Sequence, residues 1–255
     1  NNEYYKYYLN IFKQSHNGCK IIDDDVYNGV WATLFKISSE LLIFNLQLGL
    51  ILCKNFKDKY IDYGDLFHIY VFSQLNDSIF SKDKISSICE IGGGYGALAR
   101  VIKNNLDVSY IMIDLPETNL ISAYYLYENF KNENKKFLLY NQIKDNKISV
   151  EQLHSYDFII IPPWVVFEKD LKIDLFVNSR SMMEMKKKVI RDYFKIIHGH
   201  TNQNGYFLNI NRYHKRTVDQ TIKLIIDYPY DRDWEVLISQ KAIFFDHIHC
   251  NLLVH

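Results

Sequence analysis

The stretch ICEIGGGYGALAR, residues 88–100, restricts the fold more than any other part of the 255-residue chain. An apolar run carrying Glu90 leads into Gly92, Gly93, Gly94 and Gly96, and a helical pattern follows at once. A strand that gives way to glycines and then to a helix belongs to an open α/β sheet, with the turn at the carboxyl edge where ligands bind. Lacking Cβ atoms, the glycines let a ligand touch main chain and let the turn take dihedrals closed to other residues. The helix, starting near Tyr95, aims its unpaired N–H groups into the same space. A glycine turn with a purely structural purpose is the alternative, and four glycines in five positions speak against it.

The rest of the chain divides at about residue 84. From 1 to 84 there is scarcely a strand signal, and apolar residues recur at helical spacing in VWATLFKISSELLIFNLQLGLILCKNF and in YGDLFHIYVFSQL, which predicts an N-terminal helical cap region. From 85 to 255, β-rich runs alternate with helical stretches, as expected of an α/β fold with a mostly parallel sheet. The strands are expected in ISSICEIGG, VSYIMID, YDFIIIPP, IDLFVNS and GYFLNIN. Met182, Met185, Val189, Tyr193 and Ile197 are spaced as one apolar face of a helix, with Lys186, Lys187 and Lys188 on its solvated side. The tail QKAIFFDHIHCNLLVH predicts an antiparallel C-terminal hairpin.

Thirty basic and thirty acidic residues cancel, so no overall charge draws the chain to nucleic acid or to an anionic membrane. A small molecule is the expected partner. Cys19, Cys53, Cys89 and Cys250 lie far apart, which suggests neither zinc binding nor a disulfide framework. No signal-peptide pattern is legible in NNEYYKYYLN, and the apolar run at 41–53 is too short to span a bilayer, so it reads as a buried helix. A cytoplasmic location follows as the expectation.

Two cofactor classes use such a glycine loop. Gly92, Gly94 and Ala97 satisfy the loose dinucleotide pattern, and Asp114, at the end of the next strand, could hold a ribose in either case or simply cap the helix opened by Pro116. Glu90 separates the classes: a carboxylate would repel a pyrophosphate, whereas it balances the amino group and sulfonium of S-adenosylmethionine. S-adenosylmethionine is therefore the expected cofactor.

CEIGGGYGALARVI, YIMIDLPETNLISAYYL, IIPPWVV, DLFVNSRSMMEM and YFLNINRY, in this order, resemble the bacterial sugar O-methyltransferases, a branch of the Rossmann-like class I methyltransferases. The resemblance spans roughly residues 85–215. It implies a class I methyltransferase sheet and an enzyme that methylates a hydroxyl of a sugar, sugar nucleotide or glycan. It also implies that Glu90, Gly92, Gly93, Gly94, Tyr95 and Gly96 shape the methionine side of the cofactor site, and that Asp114, with Leu115 beside it, holds the ribose. Pro162, Pro163 and Trp164 would close on adenine or acceptor, although Trp164 reads equally as a core aromatic. Asn178 and Ser181 would stand at the mouth of the site.

A sugar hydroxyl is a weak acid and needs a base. Glu184 is the first candidate and His214 the second, while Glu184 could instead only cap its helix. Arg212 could hold an acidic group of the acceptor or make a surface ion pair. His198 with His200, and His247 with His249, make pairs too small for a metal site, so no metal is expected. A homodimer is the expected protein–protein association at most. The rival functions are a methyltransferase on another small molecule, a noncatalytic binding subunit and an NAD(P)-dependent oxidoreductase.

Overall fold

A computed structural model of the chain describes residues 54–56, 59–61, 63–216, 222–242 and 248–255. The predicted helix at 41–53, most of the cap region and His247 lie outside the described residues. The chain begins there with a short antiparallel pair, β1 (Lys54–Phe56) and β2 (Lys59–Ile61), where the spacing had predicted helix. Helix α1 (Tyr63–Leu75) follows and ends in one π-helical turn, Asn76–Phe80.

The central unit is built from β3 (Ser87–Ile91), α2 (Ala97–Lys103), β4 (Ser109–Ile113), α3 (Pro116–Phe130) and β5 (Phe137–Leu139). The chain continues through β6 (Lys147–Ile148), α4 (Val150–Ser155), β7 (Phe158–Ile161), β8 (Val166–Phe167) and β9 (Ile173–Ser179). It closes with α5 (Lys187–His200), β10 (Thr201–Arg212), β11 (His214–Arg216), β12 (Ile222–Leu224), β13 (Glu235–Lys241) and β14 (Ile248–Val254).

Eight strands form one sheet in the order β13-β14-β10-β9-β3-β4-β7-β5. Pairing is parallel from β5 to β10, and β14 is antiparallel to both β10 and β13. The sheet path starts in the middle at β3, steps to β4, passes to the edge at β5, returns to β7 between them, then crosses to β9 on the other side of β3. That reversal leaves a crevice above the carboxyl ends of β3 and β9, the general ligand position of open α/β sheets.

Strands covered on both faces read as continuous apolar runs, and these do. Along β4, Tyr110 and Met112 enter an apolar cluster with α1, α2 and α3, while Ile111 and Ile113 enter a second cluster that contains the apolar residues of α5. Sheet order, helices on both faces and the reversed C-terminal strand make this a Rossmann-like class I fold. Among the described residues no helix is long and apolar enough to cross a membrane.

One helical expectation needs correction. Met182–Glu184 form a 3-10 turn, Met185 is extended, and α5 begins only at Lys187. Its buried face is Ile190, Tyr193, Phe194 and Ile197, and Val189 is exposed. In this turn the Met182 N–H donates to Asn178 Oδ1 (3.2 Å) and the Met183 N–H to Asn211 Oδ1 (3.0 Å), which ties it to the buried amides of β9 and β10.

Candidate active site

Above β3 and β9 lies a cavity of about 320 Å³, walled by the glycine loop on one side and by Phe67, His68, Ser179, Arg180, Met183 and Glu184 on the other. The loop takes left-handed backbone at Gly92 (φ +75°), Gly94 (+57°) and Gly96 (+95°). A Cβ on Gly92 would stand 2.0 Å from Ser181 Oγ, whereas one on Gly94 would meet nothing within 4 Å. The first glycine thus answers to packing and the third leaves space beside the loop.

Two neighbours hold the loop in this shape. From β9, Asn178 Nδ2 (2.7 Å) and Ser181 Oγ (2.9 Å) both donate to the Ile91 carbonyl. From β4, Asp114 Oδ2 accepts the Gly94 N–H at 2.8 Å, and its Oδ1 accepts the Leu115 N–H at 2.7 Å. Asn178 is itself part of a buried amide ladder: Asn211 Nδ2 donates to Asn178 Oδ1 (2.8 Å) and to Asn209 Oδ1 (2.5 Å), and Asn209 Nδ2 donates to the Tyr230 hydroxyl (2.5 Å). All three asparagines are fully buried, so each unpaired amide would carry a desolvation penalty, and the ladder removes it.

Glu90 is the acid of this cavity. It is 2% exposed and accepts a hydrogen bond from the Tyr110 hydroxyl at 2.9 Å. Burial pushes its carboxyl up to about 7; the Tyr110 bond opposes the rise and the Asp114 charge adds to it. A carboxyl in this state gains from any cation brought beside it.

The facing wall carries chemistry that strand and helix periodicity does not announce. Arg180 has a positive φ of 66°, and its guanidinium lies 5.3 Å from the centre of the Phe67 ring. Burial, then the charges of Arg180 and Arg100, lower the His68 imidazole to about 3, so it is neutral at physiological pH. Its Nδ1 is shielded from solvent and has no hydrogen-bond partner among the described residues. Glu184 lines the same wall, about half exposed, with its carboxylate 2.6 Å from Lys215 Nζ.

The structure gathers Glu90, Gly92, Gly93, Gly94, Tyr95 and Glu184 around one cavity, and Gly96 caps α2 beside it. Others are placed differently. Asn178 is a bracket beneath the loop, and Asp114 braces Gly94. Leu115 is 59% exposed, and Pro162 is buried outside the cavity lining. Trp164 is neither core nor cavity wall: it is 52% exposed and donates through Nε1 to the Tyr140 hydroxyl at 3.0 Å. Arg212 and His214 do not line the cavity, and His214 is exposed in the β11–β12 pair. Arg180 could have been found by asking which residue leaves the strand beside the glycine loop. His68 could not: residues 1–84 are expected to cap the carboxyl edge of the sheet, but helical spacing does not mark which residue of the cap would face the cavity.

No protein-family model and no curated protein matches the sequence. Among solved structures, the chain is similar to an S-adenosylmethionine-dependent methyltransferase from Clostridium acetobutylicum, at 9% identity over 76% of this chain and 92% of that one, TM-score 0.47. It is similar to the PH0226 protein from Pyrococcus horikoshii, at 8% identity over 72% and 89%, TM-score 0.48. A third is the ribosomal protein L11 methylase from Lactobacillus delbrueckii subsp. bulgaricus, at 14% identity over 72% and 76%, TM-score 0.42.

Proposed function

We propose that the chain is an S-adenosylmethionine-dependent O-methyltransferase acting on a small hydroxylated acceptor, a sugar or sugar nucleotide. The observation that carries the cofactor is Glu90: a buried carboxyl whose ionisation is suppressed stands beside bare glycine main chain at the sheet's switch point. A cationic amino group there lets the carboxyl ionise and pair, a gain that a pyrophosphate cannot supply. Asp114 has a carboxylate between the glycine loop and the mouth of β4, where it can brace the loop and accept ribose hydroxyls at its remaining lone pairs.

S-adenosylmethionine supplies a sulfonium-activated methyl group. The protein's part is to place an acceptor oxygen in line and remove its proton as the bond forms. Glu184 is the candidate base because it lines the cavity, with Lys215 holding its carboxylate in place. His68, neutral through burial and the nearby arginine charges, adds an uncharged ring to the same wall. Among the described lining residues the permanent cation is Arg180, which takes over the anion-holding role expected of Arg212 and suits an acceptor bearing phosphate or carboxylate. Phe67 and His68 come from the α1 segment, which supports residues 1–84 as a cap that completes the acceptor side.

The test is transfer of a labelled methyl group from S-adenosylmethionine to a panel of sugars, sugar nucleotides and non-sugar alcohols, with products read by mass spectrometry. Glu184→Gln should lower the turnover rate about 100- to 10,000-fold while S-adenosylhomocysteine affinity, read by calorimetry, stays near wild type. Full activity in that variant would move the proton transfer elsewhere. No binding of S-adenosylhomocysteine, with binding of a nicotinamide dinucleotide in its place, would overturn the cofactor assignment.

A further inference from the structure

We infer that His198, Asp233 and His255 form a binding site for a divalent transition cation of the zinc class, at the edge of the sheet opposite the glycine loop. Sequence spacing pairs His198 with His200, but the fold separates them in role: His200 Nδ1 lies 2.8 Å from the Leu171 carbonyl. His198, near the end of α5, meets instead the approach to β13 and the residue after β14. One ligand atom from each of His198, Asp233 and His255 lies within 4.8 Å of the others. His198 Nε2 and Asp233 Oδ2 are 3.5 Å apart. Two ligands on one zinc at about 2.0–2.2 Å, set at the tetrahedral angle, stand roughly 3.3–3.6 Å apart.

The surroundings have the form of a built site. Metal-bound imidazoles commonly present their second nitrogen to a carboxylate, which fixes the tautomer and aims the ligating nitrogen. Asp231 Oδ2 lies on that side, 3.2 Å from His198 Nδ1, within ion-pair distance and without a formed hydrogen bond. The His255 backbone is held on both sides, its N–H donating to the Gly205 carbonyl and its carbonyl accepting the Asn204 N–H, each at 2.9 Å. Its ring stands edge-on to His198 at 4.9 Å, with Trp234 4.9 Å away on another side. His255 Nε2 is shielded from solvent and has no hydrogen-bond partner among the described residues. Two imidazoles and one carboxylate suit zinc, cobalt, nickel or copper and not magnesium. The bound cation would tie the end of α5, the approach to β13 and the end of β14 into one knot, so its role is structural and independent of the methyl-transfer site.

The experiment uses the untagged full chain, stripped with a chelator, titrated with zinc chloride in a calorimeter, with cobalt chloride in a visible spectrometer, and with magnesium chloride as control. One zinc should bind per chain and raise the melting temperature, cobalt should give the d–d band of tetrahedral coordination, and magnesium should do neither. Asp233→Asn, in an exposed loop, and His255→Gln should each weaken zinc binding at least about tenfold. His200→Gln should leave it unchanged. Zinc binding no tighter than magnesium, or zinc affinity unchanged in Asp233→Asn and His255→Gln, would overturn the assignment.

Discussion

Glu90 serves two opposed needs, because a carboxyl fit to meet a cationic ligand is a burden to the empty fold. Its folded value, about 7, lies above the ordinary 4.5, so its cost is absent below about 4.5 and grows as pH rises to 7 and beyond. Glu90→Gln should therefore be more stable than wild type at pH 8, by up to about 3 kcal/mol, and equal to it near pH 4. Urea melts across that range decide this, and parallel profiles would show that the group is not suppressed. The same residue should release a proton when a cation binds near pH 6.5, visible as a buffer-dependent enthalpy. The glycines separate fold from function in a similar way. Gly92→Ala drives a methyl onto Ser181 at a left-handed position and should cost roughly 2–5 kcal/mol of stability. Gly94→Ala carries only the backbone strain, about 1–2 kcal/mol, and should show its main effect on cofactor affinity. Glu90 was legible from sequence because charge logic applies to one residue beside one loop. His68 was not, since its significance is that α1 reaches the wall of the cavity.

Between elements, much of the order comes from a few carboxylates rather than from apolar area alone. Asp174, at the start of β9, accepts the Ser86 N–H (2.8 Å) and hydroxyl (2.7 Å), the Ser87 N–H (3.0 Å) and a short bond from Asn202, so it ties together the amino ends of β3, β9 and β10. Burial alone would raise its carboxyl, but the bonds from Ser86, Asn202 and Ser87 outweigh that and hold it below the ordinary 3.8. Its contribution is thus present above about pH 4 and lost as pH falls below that. Asp174→Asn should lower stability by about 1–2 kcal/mol at pH 7 and flatten the acid limb of the stability profile. Equal acid limbs would sink this account. The strands themselves were readable: IDLFVNS is β9 from end to end, because a doubly covered strand advertises itself as an apolar run. The segment after it was not, since its turn is tied to the Asn178 and Asn211 amides, contacts made by the fold that no helical period records. Short β5, at the sheet's edge, carries too few residues to show a pattern.

At the scale of the molecule, the alternation of β-rich and helical segments identified the doubly wound sheet and its reversed C-terminal edge. The position of β14 between β10 and β13 was beyond that reading, because strand order depends on which edge a hairpin folds back upon. That position bears on how the protein is made. β13 precedes β14 in the chain, yet among the described residues its sheet neighbour is β14 alone. β13 and the open side of β10 therefore stay unjoined until β14 enters between them. A released chain truncated after Lys241 should accordingly show β3 to β9 resistant to protease and β13 cleavable, while the chain extended past Val254 should protect both. Early protection of β13 would mean that it first docks elsewhere. Until β14 docks, the folding polypeptide presents an unfilled slot one strand wide, which a helper protein, or a neighbouring copy, could enter before its own chain does.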